Sequence, residues 1–562
     1  MNSVLRISLS LLILTLSACA QQKQTWLEKV PPLPQDKFIQ VYTNQNPASE
    51  YTEPYRGTIR AGDNLEQIIV EAIASAHSSV DVAVQELRLP QIAAALIARH
   101  QAGVKVRVIL ENTYSRPFSR WTTAEIEKMP ERERDRLKES RRLIDLNRDD
   151  QLSTSEINQR DALVMLDRAG IPRIDDTANG SSGNNLMHHK FVVVDGRMLI
   201  VTSANFTPSD MHGDFKSPAS RGNANNLLKI DSPQLAGLFT QEFNLMWGDG
   251  PGGKPDSRFG TQKPYRPVQS VMVGSSQVEV QFSPSSPAVP WEKSSNGLIS
   301  KVLTTATESV DMALFVFSDQ TLVDRLEPLP SKGVGIRTLI DPGFAYRPYS
   351  EGLDMMGVAL ADQCKFEPGN RPWRSPITSV GVPRLPPGDL LHHKFGVVDQ
   401  KVVITGSHNW TDAANQGNDE TLLVIHSPLV AAHYQREFDR LYRNAILGVP
   451  PAIRKKADAQ QCQPPVVTAA KPSTSKQQIV SQNTTTTPKV SKTARVSKTE
   501  ERVNLNTATE AELDALPGVG PGLAKRIVAA RQNQRFSSLE DLDKVQGVGP
   551  KLLKKLQDKV TW

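Results

Sequence analysis

Apolar runs of strand length alternate with amphipathic helical stretches between about residues 53 and 447, and the alternation runs twice. "ASAHSSVDVAVQEL" from Ala74 and "TTATESVDMALFVF" from Thr304 each read as a helix end entering an apolar strand, around Val82 and Met312. Each leads through a helical pattern to a second strand, "GVKVRVIL" from Gly103 and "GVGIRTLI" from Gly333. Both series then reach nearly the same decapeptide, "LMHHKFVVVD" from Leu186 and "LLHHKFGVVD" from Leu391. They close on helices near "LFTQEFNLMW" and "AAHYQREFDRLY". Strands alternating with helices predict a layered α/β fold. Two similar halves are expected at 53–250 and 266–447, joined by a Gly/Pro-rich connector at 248–267.

Other stretches lie outside this alternation. Residues 1–19, "MNSVLRISLSLLILTLSAC", carry one early cation, Arg6, and an apolar run too short to span a bilayer. They read as a signal peptide ending in Leu16-Ser17-Ala18-Cys19, which resembles the bacterial lipobox, whose cysteine is lipidated and becomes the mature N-terminus. Cleavage after Ala20 is the alternative. Either route exports the protein, as a lipoprotein anchored through Cys19 and facing the periplasm or exterior, or as a secreted chain. Residues 20–52 read as an N-terminal extension. Residues 448–501, rich in Pro, Ser, Thr, Lys and Gln, read as a disordered basic linker. Helical periodicity returns over 502–562.

At 562 residues, 38% hydrophobic and 22% charged, the chain is neither wholly disordered nor a multispan membrane protein. The net charge of +6 sits in the tail: residues 454–499 hold nine Lys/Arg against one acidic residue, and 1–453 carry −3. A basic tail suits a polyanion. Besides Cys19 there are Cys364 and Cys462, able to pair outside the cytoplasm or to remain thiols.

The repeated decapeptide carries the chemistry. His188-x-Lys190-x4-Asp195 is followed, six residues on, by Thr202-Ser203-Ala204-Asn205, and His392-x-Lys394-x4-Asp399 by Gly406-Ser407-His408-Asn409. Each copy reads as strand, two-residue turn and return strand. That register sets His188 opposite Asn205 and Lys190 opposite Ser203, and likewise His392 opposite Asn409 and Lys394 opposite Ser407. Strand alternation puts these groups on one face and sends Asp195 and Asp399 to the other, as supports of the fold. Lysine and the Ser/Asn donors suit the non-bridging oxygens of a phosphodiester. Two copies brought together supply one histidine to attack phosphorus and another to protonate the leaving oxygen and then activate water. Because one chain holds both copies, a monomer suffices.

These motifs resemble the phospholipase D superfamily over most of 53–447. The resemblance implies two pseudo-symmetric α/β/α halves and a phosphohistidine intermediate formed without a metal. It makes His188 the nucleophile and His392 the general acid. The family often places an acid after the motif to orient each histidine. Glu420 in "GNDETLLVI" fits that place for the second copy, while the matching "GNANNLLKI" has Asn225, leaving His188 a neutral partner. The first Gly of the family's GSxN is Thr202 here.

An insertion at about 119–170 contains an EF-hand-like loop. Asp145, Asn147, Asp149, the Gln151 carbonyl, Ser153 and Glu156 fall at the ligand positions of a twelve-residue calcium loop, and all are hard oxygen donors. Asp150 stands where Gly usually makes the turn, and Asp tolerates positive φ better than most residues. A structural calcium ion is expected there.

In the tail, "TATEAELDALPGVGPGLAKRI" and "SSLEDLDKVQGVGPKLLKKL" each run helix, Gly-Val-Gly, helix. Capping boxes are expected at Thr507/Glu510 and Ser537/Glu540. Gly518, Val519, Gly520, Gly547, Val548 and Gly549 present backbone N–H groups to a DNA phosphate, with Lys525, Arg526 and Lys551 beside them. The segment resembles tandem helix-hairpin-helix modules of competence-type DNA receptors, which implies a small all-α domain gripping DNA by its backbone. Together these readings predict an exported nuclease acting on DNA. The alternatives are a phospholipase D-type lipid phosphodiesterase and a catalytically weakened receptor for DNA uptake.

Overall fold

The structure is a computed structural model of the chain. It describes residues 30–459 except 182–184 and 363, and in 502–562 all but 509–512, 514–515, 517–518, 520, 534, 546–547, 549–551, 554–555 and 558. Cys19, Cys462, Gly518, Gly520, Gly547, Gly549 and Lys551 lie outside the described residues, as does the linker from 460 to 501. The chain divides into two units, 1–469 and 470–562.

The larger unit holds two mixed sheets. The first runs Ile39–Thr43, Asn226–Asp231, Met198–Thr202, Lys190–Val194, Ser79–Val84, Lys105–Leu110, Arg173–Asp175. In the second, the six strands Glu420–His426, Val402–Gly406, Lys394–Val398, Ser309–Leu314, Gly335–Ile340 and Val380–Val382 pair in the same order as the last six of the first. A hairpin (Gln269–Val273, Ser276–Ser283) extends one edge, and Ile446–Leu447 the other. The first sheet starts before its expected half: Ile39–Thr43, inside the expected N-terminal extension, pairs antiparallel with Asn226–Asp231.

The central strands are buried on both faces, which is why they read as near-continuous apolar runs. Along Lys190–Val194, Phe191 and Val193 enter the core between the two sheets, while Val192 and Val194 pack outward against the helices Leu65–Ala74 and Pro90–Gln101. That central core also takes Phe239 and Phe243 from the helix Pro233–Trp247, and Tyr434 and Phe438 from Pro428–Tyr442. The stretch expected as linker from 448 opens instead with a helix, Pro451–Asp458, whose Ile453 and Ala457 pack on the second half.

The hairpin after each decapeptide is one residue out of the expected register. Phe191 faces Val201 and Val194 faces Met198, leaving a three-residue loop. The reason is the aspartate. Asp195 and Gly196 take φ of 53° and 59°, and Asp399 and Gln400 take 49° and 53°. The Asp195 carboxylate accepts N–H groups of His77, Ser78 and Ser79, and Asp399 those of Thr307, Glu308 and Ser309. Burial opposes ionisation of Asp195, but these donors outweigh it and hold the carboxyl at about 2. The aspartates thus fasten the loop entering each central strand, on the side away from the histidines.

The smaller unit contains the helices Pro521–Asn533 and Leu539–Asp543 around a core of Leu505, Leu513, Leu516, Ile527, Leu542 and Leu556. It is not wholly helical, because Val503–Asn504 pairs in parallel with Val560–Thr561. Pro521 opens its helix as proline favours. The Ser537 N–H and hydroxyl donate to Asp541 at 3.0 and 2.6 Å, while the side chains of Glu510 and Glu540, the expected capping partners, lie outside the described residues.

Candidate active site

Each half lends backbone to the other at the histidines. The His188 N–H donates to the Asp419 carbonyl at 2.9 Å, and the His392 N–H donates to the Ala224 carbonyl at 3.1 Å. Bridges Met187–Asp419 and Ala224–Leu391 flank these contacts. The residue following each lending carbonyl is therefore carried to the opposite half's histidine.

This reverses the expected pairing of Glu420 and Asn225. Glu420 reaches across to His188, its Oε2 2.7 Å from Nδ1, and Asn225 reaches across to His392, its Oδ1 3.0 Å from Nδ1. The Asn225 orientation is set by its own NH2, which donates to the Asp210 and Asn223 carbonyls at 3.0 and 3.1 Å. Both imidazoles thus donate from Nδ1, which makes Nε2 the basic atom on each. The adjacent histidines cross the same boundary for packing: His189 Nδ1 meets Thr421 Oγ1 at 2.8 Å, and His393 meets Asn226 at 3.1 Å, its other nitrogen meeting Glu437 of its own half at 2.9 Å. They lie among Phe191, Phe282 and Phe395.

The lysines sit beneath. Lys190 Nζ donates to the His188 carbonyl at 2.9 Å, and Lys394 Nζ to the His392 carbonyl at 2.6 Å. Burial pulls Lys190 down to about 8, against the pull of Glu420 and Asp210, and lowers Lys394 well below its usual range. Burial, then the two lysines, hold His188 and His392 well below the ordinary imidazole value. Burial raises Glu420, against His408 and Lys190. A neutral His188 at neutral pH is a competent nucleophile.

His188, His392, Asn205 and Asn409 line one cleft of about 680 Å³. The Oδ1 atoms of Asn205 and Asn409 are buried with no hydrogen-bond partner among the described residues. Ser203 and Ser407 do not converge on this space, contrary to expectation. Ser203 Oγ donates to Asn225 Oδ1 at 2.7 Å, and Ser407 Oγ accepts the Thr421 N–H at 2.9 Å, so each supports a strand that crosses to the other histidine.

Sequence reasoning missed two parts of the site. The insertion supplies a wall of the cleft: Arg136, on the helix Glu131–Ile144, pairs with buried Glu86 and donates to the Tyr114 hydroxyl at 2.9 Å. Asp210, five residues past Asn205, has an oxygen 3.7 Å from His392 Nδ1. No spacing rule marks either one.

In the EF-hand-like loop, Asp150 adopts φ 60°, the conformation a glycine usually supplies. Asp145 accepts the N–H groups of Arg148 and Asp150, and Glu156 those of Leu146, Asn147 and Ser153. Among the described residues, no group of three His, Cys, Asp or Glu side chains is placed to hold a metal ion. In the smaller unit Arg526 is exposed, while Val519 is buried in the core. The N–H groups of Val519 and Val548 donate to the Leu516 and Val545 carbonyls, so both valines build the hairpins and do not offer their N–H groups to a phosphate. Cys364 is disulfide-bonded.

A double-sheet body with two histidines converging on one cleft, each above a buried lysine, defines a phosphodiester-processing enzyme. The chain belongs to the phospholipase D superfamily and contains its catalytic hydrolase domain: the family described as cardiolipin synthase, PLD-like domain, matches residues 69–247 and 299–442. A helix-hairpin-helix motif matches 498–561. The chain is 32% identical over 187 residues to the mitochondrial cardiolipin hydrolase of Xenopus laevis, covering 32% of this chain and 78% of that protein. It is 29% identical over 147 residues to a phospholipase D of Rickettsia bellii, covering 26% and 63%. It spans 58% of the Xenopus tropicalis cardiolipin hydrolase and 61% of that of Mus musculus. The crystal structure of Nuc, a phospholipase D family member of Salmonella typhimurium, aligns at 21% identity and TM-score 0.25, covering 31% of this chain and all of that one. The relatives named cardiolipin hydrolase overturn the expectation of nucleic-acid cleavage and favour the lipid alternative.

Proposed function

We propose that this chain hydrolyses a lipid phosphodiester of the cardiolipin class through a phosphohistidine intermediate, with the two halves acting as a pseudo-two-fold pair. The observation that carries the chemistry is the pair of imidazoles in one cleft, each held at Nδ1 by a residue of the opposite half. His188 Nε2 attacks phosphorus, and the opposite P–O bond breaks. His392 acts in this step as the imidazolium, protonated at Nε2 beside the anionic substrate phosphate, and gives that Nε2 proton to the departing alkoxide. Water then gives a proton to His392 and its oxygen attacks phosphorus, the P–N bond breaks, and a phosphomonoester leaves. Glu420 favours this order, because its charge stabilises the cationic phosphohistidine on His188.

Cardiolipin and phosphatidylglycerol vesicles in EDTA test the reading, with plasmid and RNA as controls. Lipid cleavage lost in both His188→Ala and His392→Ala supports it. Intact lipid alongside cut nucleic acid overturns it.

We also propose that the tail holds DNA through backbone phosphates, and that the protein works as an exported monomer anchored through Cys19. For the loop Asp145–Glu156 we propose a structural calcium ion, supported by the Asp150 conformation and the oxygen donors at the ligand positions.

A further inference from the structure

We propose that Asp210 is a positioning residue for the reaction, forming with Asn225 a two-residue substitute for the single glutamate that the other half supplies. The equivalence comes from two pairs of matching positions. Thr207 caps the short helix Pro208–Met211 by accepting the Asp210 N–H, and Thr411 caps Asp412–Gln416 by accepting the Ala414 N–H. Asp210 and Ala414 therefore occupy the same place in their halves. Asn225 and Glu420 occupy another, each following the carbonyl that bonds the opposite histidine's backbone. One half thus has glutamate with alanine, and the other asparagine with aspartate.

The hydrogen bonds follow the carboxylate to its new place. In the second half Asn418, two residues before Glu420, donates to Glu420 Oε1 at 3.2 Å. In the first half Asn223, two residues before Asn225, donates to Asp210 Oδ1 at 2.6 Å. Asp210 is 4% exposed, and its other oxygen accepts the Asn205 N–H at 2.8 Å, so the carboxylate is fixed. Its Oδ1 lies 3.4 Å from Asn225 Nδ2 and 3.7 Å from His392 Nδ1. The charged and titratable groups facing His392 are otherwise Lys190, Lys394, His188 and His393, all opposing its protonation. Asp210 offsets them. Acting beside an amide, it holds the His392 imidazolium less tightly than Glu420 holds His188 at 2.7 Å, which suits a group that must release its proton.

The inference rests on the two-histidine reading and not on the identity of the substrate. Full-length protein labelled with ¹⁵N-histidine gives the titration midpoint of His392, and bis(p-nitrophenyl) phosphate gives kcat against pH. Asp210→Asn is expected to lower the midpoint by about one pH unit, and kcat about tenfold with KM changed less than about threefold. The double variant Asn225→Glu/Asp210→Ala recreates the second half's pair and restores both, whereas Asp210→Ala alone does not. An unchanged midpoint in Asp210→Asn overturns the proposal, as does a double variant no better than Asp210→Ala. If the double variant fails to fold, the Asp210→Asn titration decides alone. If His188→Ala and His392→Ala keep full kcat, the two-histidine reading fails, while the titration still decides the role of Asp210.

Discussion

Neutralising Glu420 isolates the electrostatic half of the proposed mechanism. Glu420→Gln keeps an acceptor beside His188 Nδ1 but removes a charge whose oxygen lies 2.7 Å away in a side chain with no solvent exposure. Unit charges ~4 Å apart at an effective permittivity of about 20 interact by about 4 kcal/mol. Part of that is lost to the cost of keeping a buried carboxylate ionised, the same burial that raises its pKa. A net loss of about 2 to 4 kcal/mol slows kcat on the order of 30- to 1000-fold. The assay is initial-rate phosphatidylglycerol release from cardiolipin vesicles, alongside thermal unfolding. Unfolding should stay within a few degrees of wild type or rise, since the variant no longer buries a charge. A kcat within threefold of wild type, with the fold intact, refutes the claim that Glu420 serves His188 across the boundary.

Other outcomes follow from the same geometry. Burial lowers His188, His189, His392, His393 and His408 in the folded chain. As pH falls below their unfolded value of about 6.5, the unfolded state therefore binds protons first and stability declines. Unfolding midpoints should drop steadily from pH 7 to 5, and a flat profile contradicts this. Calorimetry at millimolar calcium should show binding that Glu156→Gln weakens at least ~10-fold, and no heat in the wild type rejects the ion. Deleting 502–562 should abolish salt-sensitive DNA binding while lipid turnover stays within about twofold. DNA retention unchanged by the deletion rejects that role for the tail.

The α/β layering and the paired His/Lys motifs were legible because apolar runs of strand length and a repeated decapeptide are local signals. The orientation of each histidine was not. Glu420 and Asn225 are assigned by backbone bonds from Asp419 and Ala224 across the boundary between halves, and no local pattern records which half a strand end leans on. The serines were misread for a related reason. A one-residue shift, driven by Asp195 and Asp399 in left-handed conformation, moves every facing pair in the hairpin. The insertion was legible as a polar loop between helices, but Arg136 as part of the cleft wall depends on tertiary contact with Glu86.

The most direct test of the central claim is to catch the covalent intermediate. Phosphoramidates survive base, so protein turning over cardiolipin is quenched in alkali, digested and weighed by mass spectrometry. The account predicts a glycerophosphoryl adduct, its acyl chains removed by the alkali, on the peptide carrying His188 in the wild type and absent from His188→Ala. An adduct on His392 instead, or turnover of cardiolipin with neither histidine modified, contradicts it.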